Sequence, residues 1–134
     1  MTEKTDKTEA VAEEQKVTFA DLGLSEKTLA GVTKKGYTHP SPIQAAVIPK
    51  LLTGDKDILG QAQTGTGKTA AFGLPLLDRL DMKKKEVGAM ILAPTRELAI
   101  QVAEEIKSFS DGKVKIILLY GGQSIRDEIQ ALKN

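Results

Sequence analysis

Apolar positions recur at helical spacing in several segments, and residues that commonly cap helices stand in front of two of them. Ser25 and Ser41 each occupy the place expected of an N-cap, and Pro42 suits the first turn of the helix that follows Ser41. The pattern therefore predicts a helix after each of these serines. Further helices are predicted over residues 68–81, 97–109 and 125–133. The clearest is 97–109, whose apolar face consists of Leu98, Val102, Ile106 and Phe109.

Three other segments are short and largely apolar, and they alternate with the predicted helices. Residues 57–59, 87–93 and 114–120 are predicted to be strands, and the continuously apolar run at 87–93 is typical of a strand covered on both faces. This alternation predicts an α/β fold with a parallel sheet of about three strands and flanking helices. Because three strands are few for such a sheet, residues 17–134 are predicted to be an incomplete domain.

The composition narrows the kinds of chemistry that the chain can perform. Its 134 residues are 40% hydrophobic and 28% charged, which is ordinary for a globular chain, while residues 1–16 are mostly polar and are predicted to be a disordered tail. Since the net charge is only +1, any nucleic-acid site must be local. The lack of cysteine and the single histidine exclude a Cys-based zinc site and a His-cluster metal site. No apolar run is long enough to span a membrane, so a cytoplasmic protein is expected.

The most informative motif is a glycine-rich loop between the first predicted strand and the helix at 68–81. It matches the phosphate-binding pattern G-x-x-x-x-G-K-[ST] at Gly67, Lys68 and Thr69, and departs from it at Ala62, where the pattern has glycine. Gly65 and Gly67 permit backbone conformations in which successive N–H groups point at phosphate oxygens. A plain glycine-rich turn is the alternative, but the strand before the loop and the helix after it favour nucleoside triphosphate binding.

Each part of the loop has an expected role toward the triphosphate and its Mg²⁺ ion. Lys68 is expected to place its charge beside the β- and γ-phosphates, and the Thr69 hydroxyl is expected to be a magnesium ligand. These two are the candidate catalytic residues. The other predicted nucleotide contacts in the loop are Gln63, Thr64, Gly65, Thr66 and Gly67.

Further blocks of sequence lie around this loop. Upstream of the loop, residues 36–44 read Gly-Tyr-x-x-Pro-Ser-Pro-Ile-Gln, and an isolated aromatic residue, Phe19, precedes them. Downstream, residues 94–98 read Pro-Thr-Arg-Glu-Leu, and two glycines follow at 121–122. Together with the Ala62 form of the loop, these blocks resemble the Q motif, motif I, motif Ia and paired glycines of the DEAD-box ATP-dependent RNA helicases. The resemblance covers essentially everything after the polar tail. It implies the first part of a RecA-like P-loop domain.

The block at 36–44 is predicted to recognise the base of the nucleotide. The side-chain amide of Gln44 carries a donor and an acceptor, so it can pair with adenine N6 and N7, which specifies ATP. The resemblance implies that Tyr37 stacks on the base. The alternatives are an ordinary exposed helix residue for Gln44 and a core aromatic for Tyr37. For Phe19, core packing and support of the base pocket are both open.

The resemblance implies RNA as a second ligand, bound through its phosphates and sugars. The block at 94–98 lies at the C-terminal end of the second predicted strand, which is the end where open α/β sheets bind ligands. An N-cap with a surface arginine, and a plain turn at the glycine pair, are the alternatives. The predicted RNA contacts are Pro94, Thr95, Arg96, Glu97, Gly121 and Gly122.

The sequence contains no Asp-Glu-Ala-Asp box, and Asp127-Glu128 does not substitute for it because Ile129 and Gln130 follow. The chain is therefore predicted to be an N-terminal fragment that binds ATP but does not hydrolyse it alone, with a second RecA-like domain as its partner in a full-length helicase. A non-catalytic adenine-nucleotide-binding module is the alternative. Another P-loop enzyme, such as a small-molecule kinase, needs neither the block at 36–44 nor the block at 94–98.

Overall fold

Five α-helices form the framework of the part of the chain that the structure describes. The computed structural model describes residues 16–134, so the predicted polar tail lies outside the described residues except for Lys16. A short 3₁₀ helix precedes the α-helices in chain order. The elements are this 3₁₀ helix (Phe19–Leu22), α1 (Glu26–Lys34), α2 (Pro42–Thr53), α3 (Lys68–Arg79), α4 (Arg96–Phe109) and α5 (Ile125–Lys133).

The helix ends follow from local hydrogen bonds. The hydroxyls of Ser25 and Ser41 accept from the backbone N–H groups of the first turns of α1 and α2, which confirms both predicted caps. At the end of α1, the N–H of Gly36 donates to the Thr33 carbonyl and the next N–H donates to Val32. Gly36 has φ +78°, so this paired arrangement needs a residue without a Cβ.

The core lies among the first four helices. Helix α3 packs against α2 and α4, and α1 contacts α3 and α4. The approach of α4 to α3 is close at Gly73, where a Cβ would lie 3.1 Å from the Ile106 side chain. The largest fully buried side chains are Phe109, Ile48, Leu74, Val32 and Pro75.

Asp78 ties the start of α1 to α3. Its carboxylate accepts hydrogen bonds from the Ser25 backbone N–H at 2.9 Å and from the hydroxyls of Ser25 and Thr28. Burial acts to raise the pKa of Asp78, but these hydrogen bonds and the charge of Lys27 outweigh it, so the pKa lies below its ordinary value. The carboxylate is therefore held ionised where α1 begins.

The apolar face predicted for α4 is confirmed at three positions and wrong at the fourth. Val102, Ile106 and Phe109 are buried, whereas Leu98 is 37% exposed. Leu98 lies in the first turn of the helix, beside residues 94–97, which are all exposed. The core thus covers α4 only from its second turn onward.

The predicted strands are not formed among residues 16–134. Segments 57–59, 87–93 and 114–120 have no regular secondary structure, and no backbone hydrogen bond joins one to another within the described part of the chain. A strand is defined by hydrogen bonds from its N–H and C=O groups to a neighbouring backbone, and such bonds are not formed between these three segments. Several of their apolar side chains are exposed, with Leu59 at 99%, Leu92 at 87% and Met90 at 80%, whereas Val114 at the start of the third segment is buried in the core.

Of the helices in residues 16–134, none combines the length and the apolar character that a membrane crossing requires.

Candidate functional site

The glycine-rich loop leads directly into α3, whose first helical residue is Lys68. Gly65 and Gly67 have φ values of +81° and +82°, a region that favours glycine. Gly67 is the N-cap of α3, and no side chain caps this helix, in contrast to the hydroxyl caps of α1 and α2. The N-terminus of α3 therefore presents its backbone N–H groups and the positive end of its dipole to the loop. Such a terminus suits a phosphate group.

In this structure the loop is closed on itself. The Lys68 ammonium donates to the carbonyl oxygen of Ala62 at 2.6 Å, and the Thr66 hydroxyl donates to the carbonyl of Gln63 at 2.7 Å. Both bonds are exposed to solvent. This bond uses one of the three N–H donors of the Lys68 ammonium, and the other two are open to a phosphate. The side chains fit a magnesium triphosphate, since the loop carries one ammonium and the Thr69 hydroxyl that follows it.

Gln44 joins α2 to the loop. Its amide oxygen accepts from the Ser41 N–H at 2.9 Å, and its amide nitrogen donates to the Gly67 carbonyl at 3.1 Å. Gln44 is only 6% exposed, so the alternative of an ordinary exposed helix residue is wrong. A Cβ on residue 67 would lie 2.2 Å from that amide nitrogen, so Gly67 is required for this contact as well as for its backbone conformation. The pairing of Gln44 with adenine stays a prediction.

Tyr37 lies in a cluster of three aromatic rings. Its ring centroid is 6.5 Å from that of Phe19, with the planes inclined by 22°, and 6.0 Å from that of Phe109. Phe19 is buried, while Tyr37 is 41% exposed. Phe19 is therefore a core residue that packs beside Tyr37, and its support of a base pocket stays a prediction. The rest of the Tyr37 ring is exposed, with the Lys35 ammonium 5.8 Å from its centroid, and its stacking on a base stays a prediction.

The second group of predicted residues gathers at the start of α4. Thr95 is the N-cap, and its hydroxyl accepts from the Leu98 N–H at 3.2 Å. The Arg96 guanidinium carbon lies 4.3 Å from the centroid of the Tyr120 ring, which immediately precedes the glycine pair. The structure thus brings the start of α4 together with the segment that leads into Gly121 and Gly122. The pair is exposed, and Gly122 has φ +93°.

Sequence reasoning missed two residues at this second group, Tyr120 and Gln123. With the Gln123 amide turned so that its oxygen faces the Tyr120 hydroxyl, that oxygen accepts from the hydroxyl at 2.8 Å. The available signal was an aromatic residue directly before a glycine pair, at the end of a predicted strand. Its contact with Arg96 depends on how two distant segments pack, which spacing does not reveal.

Comparison with known proteins gives consistent matches over most of the chain. Residues 41–134 match the model of the family described as DEAD/DEAH box helicase. The chain is similar to the DEAD-box ATP-dependent RNA helicase CshA of Bacillus cereus, with 56% identity over 117 residues, or 87% of this chain and 22% of that protein. It therefore spans about a fifth of the length of this curated relative.

Solved structures give the same picture. The chain resembles a DEAD box protein from Methanococcus jannaschii with a TM-score of 0.82 and 45% identity, over 87% of this chain and 32% of that one. It also resembles Dbp5 of S. cerevisiae bound to RNA and ADP BeF3, with a TM-score of 0.68 and 38% identity, over 71% of this chain and 25% of that one. The helices and the irregular segments between them are thus arranged as in these proteins.

Proposed function

The chain belongs to the DEAD/DEAH box helicase family, and from that membership we propose that it is the ATP-binding part of an ATP-dependent RNA helicase that remodels or unwinds RNA duplexes. One observation carries the proposal furthest: Gln44 is buried and its amide nitrogen donates to the Gly67 carbonyl. The candidate base reader and the candidate phosphate loop are therefore parts of one site. If Gln44 served only to cap α2, its hydrogen bond to the loop would have no role in that function.

In the proposed site the triphosphate lies against the N-terminus of α3. The loop residues 63–67 offer backbone N–H groups, Lys68 donates to phosphate oxygens, and the Thr69 hydroxyl binds the magnesium ion. Bound MgATP supplies the phosphoanhydride bond whose hydrolysis drives the whole protein. Neutralisation of the phosphate charge by Lys68 is the main electrostatic contribution of the chain's own side chains in this loop.

The base of ATP is proposed to lie between α2 and the exposed part of Tyr37. Gln44 turns its amide from Gly67 to the adenine edge, where its nitrogen donates to N7 and its oxygen accepts from N6. Tyr37 offers a ring that is fixed from behind by Phe19. Stacking on a ring already held in place avoids part of the entropy cost of ordering it.

RNA is proposed to bind at the start of α4 and the glycine pair. Arg96 supplies a cation, the N-terminus of α4 supplies backbone N–H groups, and the open space around Gly121 and Gly122 leaves room for a sugar-phosphate backbone. Within residues 16–134, Arg96 forms no salt bridge, so its charge is available to a phosphate. The likeness to Dbp5, which was solved with RNA, supports the same ligand here.

The sequence lacks one motif that ATP hydrolysis in this family would use. It contains no Asp-Glu-Ala-Asp box, so we expect the 134 residues to bind ATP without turning it over, as an adenine-nucleotide-binding module does. We expect hydrolysis to require a second RecA-like domain. We also expect a parallel sheet to form only when further strands pair with the segments at 57–59, 87–93 and 114–120. Two measurements check this: ATP turnover with and without RNA, and amide hydrogen exchange in the three segments. RNA-stimulated turnover or slow exchange would contradict it.

Removal of the Gln44 side chain is expected to abolish the preference for ATP over GTP. The unsubstituted chain should bind ATP about tenfold more tightly than GTP, because about one hydrogen bond to the base distinguishes the two purines. In Gln44→Ala the ratio of the two affinities should fall to about one. Titration of fluorescent ATP and GTP analogues measures both affinities.

Ser41→Ala is the matched control for this experiment. It removes the hydroxyl half of the capping box at the start of α2, in which Gln44 supplies the other half. Both variants therefore weaken the same helix terminus, but only one of them removes the base reader. The control should keep the preference for ATP. Equal affinity of the unsubstituted chain for the two nucleotides would refute adenine recognition by Gln44.

A further inference from the structure

Arg96 is held against an aromatic ring that sequence reasoning did not associate with it. Its guanidinium carbon lies 4.3 Å from the centroid of the Tyr120 ring. Arg96 is exposed at the first position of α4, whereas Tyr120 is half-buried in the segment before the glycine pair. This cation–π contact links two separate parts of the chain that are both proposed to meet RNA.

The Tyr120 ring is itself fixed by a short chain of hydrogen bonds. With the Gln123 amide turned as described above, the Tyr120 hydroxyl donates to its oxygen at 2.8 Å. The amide nitrogen of Gln123 donates in turn to the Glu128 carboxylate at 3.0 Å and to the Leu118 carbonyl at 3.3 Å. The ring is therefore anchored both to its own segment and to α5. A ring held at its hydroxyl end offers a fixed face to the guanidinium.

The chemistry of the guanidinium makes such a face useful. Arginine has a long flexible stem, so an exposed side chain loses rotamer entropy when it binds a phosphate. Contact with an aromatic face restricts the side chain in advance and leaves its N–H groups available to an anion. Among the described residues no carboxylate pairs with Arg96, so its N–H groups are open to an anion from outside them.

We propose that Tyr120 is a positioning residue that orients Arg96 toward a phosphate of bound single-stranded RNA. The inference rests on the proposed RNA binding at the start of α4. The exposed Gly121 and Gly122 follow Tyr120 directly, and a Cβ added to either would meet no atom within 4 Å. An RNA backbone therefore has room to pass beside the positioned guanidinium.

A double-mutant cycle on the 134-residue chain tests the proposal. Binding of a fluorescein-labelled single-stranded oligouridylate is measured by anisotropy for Tyr120→Leu, Arg96→Ala and the double variant. Tyr120→Leu keeps apolar bulk but removes the aromatic face, and it should weaken binding by about two- to fivefold. In the Arg96→Ala background the same change should have no further effect. Tyr120→Phe keeps the aromatic face but loses the bond to Gln123, so its affinity should lie between those of Tyr120→Leu and the unsubstituted chain.

The outcomes separate the positioning role from the RNA site itself. An equal loss from Tyr120→Leu in both backgrounds would mean that Tyr120 acts on the structure and not through Arg96, and it would overturn the proposal while the RNA site stands. Undiminished binding by Arg96→Ala would overturn RNA binding at this edge and the positioning role with it. Affinity for a fluorescent ATP analogue, measured in parallel, should be unchanged in all variants, because the loop at 62–67 is intact in each.

Discussion

Replacement of Lys68 by alanine is expected to weaken the binding of MgATP by about ten- to a hundredfold. A hydrogen bond to a charged group contributes about 1.5–3 kcal/mol, and about 1.4 kcal/mol corresponds to a tenfold change in affinity. Lys68 is the only ammonium within the loop sequence, and in this structure it is bonded to the Ala62 carbonyl. Alanine keeps the helical propensity of α3 but leaves the phosphates without their cation. Titration of a fluorescent ATP analogue in the presence of Mg²⁺ gives the affinity.

Lys85→Ala is the control for a simple loss of charge. Lys85 is an exposed lysine outside the loop, so its removal changes the net charge equally. This variant should bind ATP as the unsubstituted chain does. If Lys68→Ala bound ATP equally well, the loop from Ala62 to Thr69 would not be the phosphate site.

Gly31→Ala is expected to destabilise the fold by about 3 kcal/mol, a large share of the stability of a small domain. A Cβ on residue 31 would lie 2.0 Å from the carbonyl oxygen of Phe109, so α1 and the end of α4 must separate to admit it. That separation opens the packing of Phe109 and Val32, which are fully buried. The higher helix propensity of alanine offsets at most about 1 kcal/mol of this loss in the free energy of unfolding. Urea unfolding followed by circular dichroism measures the difference in free energy.

Gly121→Ala provides the comparison with the same chemical change in open space. No atom lies within 4 Å of the position that its Cβ would take, and the residue does not have a positive φ. Its unfolding midpoint should stay close to that of the unsubstituted chain. A Gly31→Ala midpoint that also stays unchanged would show that α1 and α4 do not meet as closely as the structure has them.

The helices could be predicted well from the sequence because their signals are local. The caps at Ser25 and Ser41 and the glycine after α1 each act within a few residues, so the order of the chain is enough to find them. The start of α4 was predicted one residue late, at Glu97 and not at Arg96. Such an error is expected at a terminus, where the first turn has few intrahelical bonds.

The strands could not be settled from the sequence because a strand is a relation between two segments. Apolar runs such as 87–93 indicate that a segment is suited to burial in a sheet, but not that a partner backbone lies alongside it. In residues 16–134 no strand is formed, and the side chains of Leu92 and Met90 are exposed. Local propensity therefore predicted the character of these segments but not their pairing.

In the candidate site, too, the sequence predicted the residues but not the contacts between them. Motif spacing predicted that Gln44 and the loop contribute separately to one ligand site, but it gave no indication that the Gln44 amide bonds to Gly67. That contact depends on how α2 packs against α3. The contact of Arg96 with Tyr120 likewise depends on the path of the segment before the glycine pair. Sequence identified residues by type and order, while their mutual contacts required the fold.

The bond between Gln44 and Gly67 has a consequence for how sharply the site can distinguish purines. Some enzymes discriminate against a near-isostere by a factor of about 10⁴–10⁵ in kcat/KM, because the wrong substrate leaves a buried polar group with no partner. Gln44 has a partner inside the protein, so a base that does not match leaves its amide nitrogen bonded to the Gly67 carbonyl. No orphaned group then penalises the mismatch. In the proposed adenine site, selectivity for ATP is therefore a competition between two adequate hydrogen bonds of the Gln44 amide, and we expect it to be modest.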